Sequence, residues 1–124
     1  MAVVLAVESN KNQRLLYEHE LSAEGYEVIT AASGKEALNK VRGLHPDIIV
    51  MDISKPKTDV LEAIGVIIGR SKHTPIIIHT AYSRHKESFM SWAADAYLFK
   101  SSDLTKLKKI ISDLLKEKSV TASA

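Results

Sequence analysis

The stretch Pro46-Asp47-Ile48-Ile49-Val50-Met51-Asp52-Ile53-Ser54-Lys55-Pro56 decides how the rest of the chain is arranged. Its four consecutive apolar residues, 48–51, are bounded by turn-forming residues on both sides. An apolar run of this length is typical of a strand buried on both faces of a parallel sheet. Because such sheets keep their chemistry beyond the carboxyl ends of the strands, we predict that Asp52 lies in the crevice where ligands bind.

Four more short apolar segments alternate with helix-forming segments along the chain. These apolar segments are residues 3–7, 26–31, 75–80 and 95–99. Apolar spacing and N-cap residues predict helices that begin after Ser9 or Asn10, after Ser33, after the 56–59 loop, at Ser83, and after Ser101 or Ser102. The last helix has the clearest apolar face, made of Leu104, Leu107, Ile110, Ile111, Leu114 and Leu115.

This alternation predicts an α/β fold with a single doubly wound, five-stranded parallel sheet flanked by five helices. Right-handed crossovers leave few topologies for five such units, and the strand order 2-1-3-4-5 is the favoured one. We expect one domain over residues 1–118. The small and polar residues 119–124 are interpreted as a C-terminal tail or a truncated linker.

The composition limits the class of protein. The chain has 124 residues and a formal net charge of +2, which is ordinary for a globular domain and too small to indicate direct binding of nucleic acid. The absence of cysteine excludes disulfides and thiolate chemistry. No apolar run approaches the roughly 20 residues that span a bilayer, and no positively charged segment precedes the first one. We therefore expect a cytoplasmic protein with no membrane partner.

The predicted strand order brings several polar side chains to one edge of the sheet. Glu8 and Ser9 follow the first strand, Asp52 the third and Lys100 the fifth, while Thr80 ends the fourth. A carboxylate can act as a nucleophile and carry a phosphoryl group, and a hydroxyl and an ammonium can bind the oxygens of that group. This combination indicates phosphoryl chemistry, with Lys100 paired to Asp52 before phosphorylation.

These residues, in this order, resemble the receiver domain of bacterial response regulators. The resemblance covers almost the whole chain and rests on Glu8, on Met51-Asp52-Ile53-Ser54-Lys55-Pro56, on Thr80-Ala81 and on Tyr97-Leu98-Phe99-Lys100. It implies a two-component signalling domain in which Asp52 accepts a phosphoryl group from a phosphohistidine. The donor would be a sensor histidine kinase or a histidine phosphotransfer protein. Phosphorylation would change the binding of a downstream protein target, and the domain would not be a turnover enzyme on an external substrate.

The resemblance also assigns roles to other residues of the site. The ligands of Mg²⁺ would be Asp52, Glu8, Ser9 (weakly or through water) and the backbone carbonyl of Ser54. Thr80 would close on the phosphoryl group, and Tyr97 would swing inward behind it. A role for Tyr97 in core packing alone stays open.

Two positions depart from the family's pattern. The family usually has two adjacent carboxylates where this chain has Glu8 and Ser9, so we predict weaker Mg²⁺ binding than in an ordinary receiver domain. Glu8 is expected to compensate in part, because its longer side chain could reach the ion. Ser101 stands where the family typically has a proline after a cis bond. Because a cis bond before a non-proline residue costs about 2.5–4 kcal/mol, we predict a trans bond between Lys100 and Ser101.

Other interpretations stay open on the sequence alone. Ser9 and Ser101 are also what a decayed site would leave, in which case the domain is a constitutive protein-interaction module that needs no phosphorylation. A hydrolase with an aspartyl-phosphate intermediate is disfavoured, because no second aspartate follows Asp52 two positions later. His79 is predicted to be a strand residue with a satisfied hydrogen bond. The lysines within residues 106–118 fit a solvated helix face better than a docking surface for an acidic partner.

Overall fold

The computed structural model describes residues 1–52, 74–80, 95–100 and 104–123, with side chains described up to residue 117 in the last of these ranges. The predicted helices around residues 61–68 and 83–92 fall outside the described residues. So do Ser54, Ala81 and Ser101, and with Ser101 the predicted trans bond after Lys100.

The described strands form one parallel sheet. Its order is β2-β1-β3-β4-β5, and every neighbouring pair is parallel, which confirms the predicted topology. The strands are β1 (Val3–Val7), β2 (Glu27–Ala31), β3 (Ile48–Met51), β4 (Ile76–Thr80) and β5 (Ala96–Phe99). All residues of β3 and β4 are buried, as expected for central strands covered on both faces.

Three helices are described: α1 (Lys11–Ser22), α2 (Gly34–Leu44) and α3 (Thr105–Ser123), the last being the fifth helix predicted from the sequence. The backbone of α3 continues through residues 119–123, so the segment interpreted as a C-terminal tail or a truncated linker is helical as far as Ser123, and that interpretation stays a prediction. Serine, threonine and valine are weak helix formers, but here they continue a helix whose preceding turns are fixed by packing against the sheet.

Local hydrogen bonds explain where the first two helices begin. The side chain of Asn10 accepts a hydrogen bond from the backbone N–H of Gln13 and caps α1. Ser33 caps α2 in the same way by accepting from the N–H of Glu36. Glu36 in turn accepts from the backbone N–H of Ala32, so Ser33 and Glu36 form a capping box in which the second hydrogen bond reaches one residue further back than usual.

The two faces of the sheet have separate cores. Tyr17 and Leu21 of α1 pack with Leu107 and Ile111 of α3 on one face, together with alternate strand residues such as Val50. The helix α2 packs on the opposite face through Ala37 and Val41. Helices therefore cover both faces, as a doubly wound fold requires. Within the described ranges, no helix has the length and apolar character needed to cross a bilayer.

Candidate functional site

The sheet register brings the predicted site residues to one edge. Val7 pairs with Met51, and the N–H of Asp52 donates to the carbonyl of Val7 at 2.9 Å. At the other side of the site, the N–H of Lys100 donates to the carbonyl of Thr80 at 2.7 Å. Backbone hydrogen bonds thus hold the ends of β1 and β3 together, and those of β4 and β5. The edge is the carboxyl end of the sheet, where open parallel sheets bind ligands.

Side-chain alternation decides which residues face the same way. Ala6, Val50, Ile77 and Leu98 all point to the face covered by α1 and α3. Because strand side chains alternate with a period of two, the residues two positions further on point to that face as well. Those residues are Glu8, Asp52, His79 and Lys100. Tyr97 packs against the core on the opposite face.

Lys100 joins the two acidic residues of the site. Its ammonium forms an ion pair with Oδ2 of Asp52 and lies 3.1 Å from Oε2 of Glu8. The side chains of Asp52 and Glu8 are 0% and 1% exposed, whereas that of Lys100 is 20% exposed. The pairing of Lys100 with Asp52 before phosphorylation, predicted from the sequence, is confirmed. Removing one partner from a buried pair is costly, because it leaves a charge without compensation.

Of the two residues that follow β1, Glu8 is buried and Ser9 is exposed. Besides its contact with Lys100, the carboxylate of Glu8 accepts a hydrogen bond from the backbone N–H of Asn10 at 2.9 Å, through Oε1. The guanidinium of Arg14 donates to the carbonyls of Glu8 and Ser9, at 2.9 Å each, and so fixes the turn that follows the strand.

Two buried residues that we did not predict as part of the site lie next to Asp52 on the face covered by α1 and α3. The hydroxyl of Tyr17, in α1, lies 3.4 Å from Oδ2 of Asp52 and 2.5 Å from Nδ1 of His79. The two rings meet edge to face, with centroids 5.7 Å apart. The prediction that His79 has a satisfied hydrogen bond is therefore confirmed. A polar residue within the apolar run of β4 was a signal for such a partner, but nothing in the sequence identified Tyr17.

Burial sets the protonation of this pair. Burial is the larger effect on Tyr17 and the carboxylate of Glu8 the smaller, and both raise the pKa of Tyr17 well above its ordinary value. For His79, burial is again the larger effect and the nearby ammonium of Lys100 the smaller, and together they lower the pKa from 6.5 to about 4. At neutral pH, Tyr17 therefore keeps its proton and His79 is uncharged.

Thr80 and Tyr97, predicted as switch residues, lie on β4 and β5 at the same end of the sheet. Thr80 is fully buried. Tyr97 is half-buried and packs edge to face on Phe99, with ring centroids 5.8 Å apart. Phe99 is 52% exposed. The positions agree with the predicted roles, and the roles themselves stay predictions.

The predicted Mg²⁺ ligands are described only in part. Among the described residues, no cluster of three or more histidine, cysteine, aspartate or glutamate side chains could hold a metal ion. Glu8 and Asp52 nevertheless converge on one ammonium, and two carboxylates completed by water and phosphate oxygens suit Mg²⁺. These donors fit the ion. Because Glu8 already binds Lys100 and the N–H of Asn10, the ion would have to compete for its oxygens.

With this geometry established, comparison with known proteins identifies the class. The family model of the response regulator receiver domain matches residues 4–112. The chain belongs to the response regulator receiver domain family.

Several individual proteins are similar to it. The chain is 32% identical over 116 residues to the polar-differentiation response regulator DivK of Brucella ovis, covering 90% of this chain and 94% of that protein. It is 29% identical over 119 residues to the regulatory protein AtoC of Escherichia coli, covering 94% of this chain but only 26% of AtoC. The relatives therefore include both a protein of the same length and one about four times longer.

Solved structures have the same fold. The response regulator TrrA of Thermotoga maritima, crystallised in complex with Mg²⁺-BeF, is 39% identical, with a TM-score of 0.84 and coverage of 92% of this chain and 99% of that one. The chemotaxis protein CheY4 of Vibrio cholerae is 32% identical, with a TM-score of 0.82 and coverage of 92% and 98%.

Proposed function

We propose that this domain accepts a phosphoryl group from a phosphohistidine onto Asp52 and that the modification switches its binding to a protein target. The observation that carries the proposal is the ammonium of Lys100, held between Asp52 and Glu8 at the carboxyl end of the sheet. That arrangement supplies a nucleophile together with a cation beside it. Membership of the receiver domain family supports the same function.

The transfer step needs little covalent chemistry from the protein. A carboxylate oxygen of Asp52 forms a bond to phosphorus while the bond from phosphorus to the donor's imidazole nitrogen breaks. The electron pair of the broken bond stays on that nitrogen, which then takes a proton from solvent. Lys100 offsets negative charge that builds up on the phosphoryl oxygens, and the hydroxyl of Thr80 binds one of them once the group is in place.

Mg²⁺ is the proposed cofactor, bound by Glu8, Asp52 and the carbonyl of Ser54, with Ser9 contributing weakly or through water. When bound, it would neutralise charge shared between the acidic residues and the phosphoryl group. TrrA was crystallised with Mg²⁺-BeF, which supports Mg²⁺ binding in the family. We propose that binding is weak here, because Ser9 is exposed and uncharged and Glu8 is already engaged by two donors.

The proposed switch follows from charge. A phosphoryl group adds about −1.5 to −2 charges at Asp52, and this draws Lys100 and Thr80 toward the new oxygens. Space behind Thr80 then lets Tyr97 turn inward, which alters the surface around Phe99. The donor would be a sensor histidine kinase or a histidine phosphotransfer protein, and the target would read the altered surface.

Beryllofluoride with Mg²⁺ tests the proposal, because it mimics a phosphoryl group on an aspartate. We expect it to shift the amide resonances of Thr80, Tyr97 and Lys100 in the wild type and to leave the Asp52→Asn variant unchanged. Lys109→Met is the matched control, since that lysine lies on the exposed face of α3, and it should respond as the wild type does. Identical spectra with and without beryllofluoride at saturating Mg²⁺ would refute the proposed switch.

A constitutive interaction module is the second candidate. The observation that favours it is that Glu8 is already satisfied by Lys100 and by the backbone N–H of Asn10, so part of the negative charge of the site is balanced without a metal ion. In that case a target would bind with the same affinity to the wild type and to Asp52→Asn, whatever the phosphoryl donor present.

A further inference from the structure

A buried polar pair lies beneath the phosphoryl-accepting residue, and the chemistry proposed above makes no use of it. Tyr17 and His79 are 1% and 3% exposed and belong to the face covered by α1 and α3. The hydroxyl of Tyr17 is within hydrogen-bonding distance of both Oδ2 of Asp52 and Nδ1 of His79. It therefore connects the carboxylate to a side chain inside the sheet.

The number of protons that the three side chains can donate limits the direction of these hydrogen bonds. A carboxylate paired with a lysine can only accept, so the 3.4 Å contact with Asp52 is a hydrogen bond only when Tyr17 donates its single proton to it. The phenolic oxygen then has only lone pairs to offer His79. For that contact to be a hydrogen bond, Nδ1 of His79 must carry the proton. The opposite direction, from Tyr17 to His79, would leave the lone pairs of two buried oxygens facing each other across 3.4 Å.

The protonation state of the histidine makes this choice measurable. Because His79 is uncharged at neutral pH, only one of its two ring nitrogens carries a proton. Free histidine in water favours the proton on Nε2, so a proton on Nδ1 would be imposed by the surroundings of the ring.

We propose that Tyr17 is a positioning residue for Asp52, and that His79, protonated on Nδ1, orients the hydroxyl of Tyr17. The N–H at Nδ1 of His79 donates to the oxygen of Tyr17, and the O–H of Tyr17 donates to Oδ2 of Asp52. Two donors, Lys100 and Tyr17, then hold the same carboxylate oxygen. This fixes the rotation of the carboxylate about its bond to the side chain. The consequence for phosphoryl transfer rests on the proposed function: a carboxylate held in one orientation presents the same oxygen to each incoming phosphorus.

The direct test is the tautomer of His79, measured by nitrogen-15 resonances of its ring at pH 7. We expect a protonated Nδ1 and an unprotonated Nε2 in the wild type, and a return to the Nε2-protonated form in Asp52→Ala. The exposed His19 serves as an internal reference and should show the same spectrum in both proteins. A wild type whose His79 is protonated on Nε2 would overturn the proposal.

The positioning role has a kinetic test. Tyr17→Phe removes the hydroxyl and keeps the ring, so it should slow phosphorylation by acetyl phosphate about threefold to tenfold, in line with the loss of one hydrogen bond. Tyr26→Phe is the matched control, because that tyrosine packs on the same face but precedes β2, at the opposite end of the sheet from the site, and it should react at the wild-type rate. An unchanged rate in Tyr17→Phe overturns the positioning role.

The two measurements separate this proposal from the proposed function. A wild type that does not react with acetyl phosphate would contradict phosphorylation at Asp52. The tautomer of His79 would still decide whether Tyr17 donates to the carboxylate, because it is measured in the unmodified protein. The melting temperature of Tyr17→Phe, compared with that of Tyr26→Phe, shows whether a lower rate reflects loss of folded protein.

Discussion

Oε2 of Glu8 accepts a hydrogen bond from the ammonium of Lys100 at 3.1 Å, across 92 positions of sequence. The same ammonium pairs with Asp52, so two carboxylates share one cation in a site that is largely closed to water. The charge balance of the site therefore depends on Lys100 more than on any other single residue of the site described above.

Replacing this lysine should destabilise the fold. Lys100→Met leaves two buried carboxylates without their cation, and we expect the free energy of unfolding to fall by roughly 3 kcal/mol. Urea denaturation at pH 7 measures it. The control is Lys109→Met, which breaks an exposed pair with Asp113 on α3 and should cost less than about 1 kcal/mol. Equal and small losses in both variants would mean that the buried pairing contributes nothing net.

Restoring the second acidic residue should strengthen Mg²⁺ binding. Ser9→Asp adds a carboxylate beside Glu8, and because affinity depends on ligand charge, we expect a lower dissociation constant for Mg²⁺ by titration. Asn12→Asp adds the same charge at an exposed position of α1 and is expected to have a much smaller effect. An unchanged or higher dissociation constant in Ser9→Asp would contradict the proposal that Ser9 weakens the metal site.

The buried histidine should make stability depend on pH. The folded protein keeps His79 uncharged until about pH 4, whereas the same side chain in the unfolded chain takes up a proton near pH 6.5. Between these values the unfolded state binds more protons, so the free energy of unfolding should fall as the pH is lowered from 6.5 to 4. The total loss is roughly 3 kcal/mol.

Denaturation curves across this pH range measure that loss. His79→Leu should show a shallower decline than the wild type, whatever its stability at pH 7. His19→Gln replaces an exposed histidine and should keep the wild-type slope. A parallel decline in all three proteins would show that His79 is not the group responsible.

The N-cap of α2 offers a test of the local structure. The side chain of Ser33 accepts from the N–H of Glu36 at 3.1 Å, and Ser33→Ala should lower the free energy of unfolding by about 1 kcal/mol. The exposed Ser22, at the last position of α1, provides the comparison, since Ser22→Ala removes no described cap. The same loss in both variants would contradict the role of Ser33 as a cap.

Strong local patterns predicted most of the fold. The apolar run before Asp52 and its flanking turn residues predicted a central strand, and the strand order followed from the alternation of elements and right-handed crossovers. The meeting of Lys100 with Asp52 followed from that order, because parallel strands end at one edge. The continuation of α3 to Ser123 was missed, since the apolar pattern that predicted the helix ends at Leu115.

The part of the site contributed by a helix was harder to predict. Tyr17 reaches Asp52 only because α1 crosses the sheet at a particular angle and depth, which depends on the packing of many side chains. Its apolar neighbours gave no guide, since Leu15 is exposed while Tyr17 is buried. The strand residue His79 could be recognised as needing a partner, but the sequence could not say which residue supplied it.

The most direct test of the account is the mass of the intact protein after incubation with acetyl phosphate and Mg²⁺. We predict the addition of one phosphoryl group to the wild type, its loss on treatment with hydroxylamine, which cleaves an acyl phosphate, and no addition to Asp52→Asn. A wild type that gains no mass under these conditions, or an Asp52→Asn variant that gains the same group, would contradict phosphorylation at Asp52.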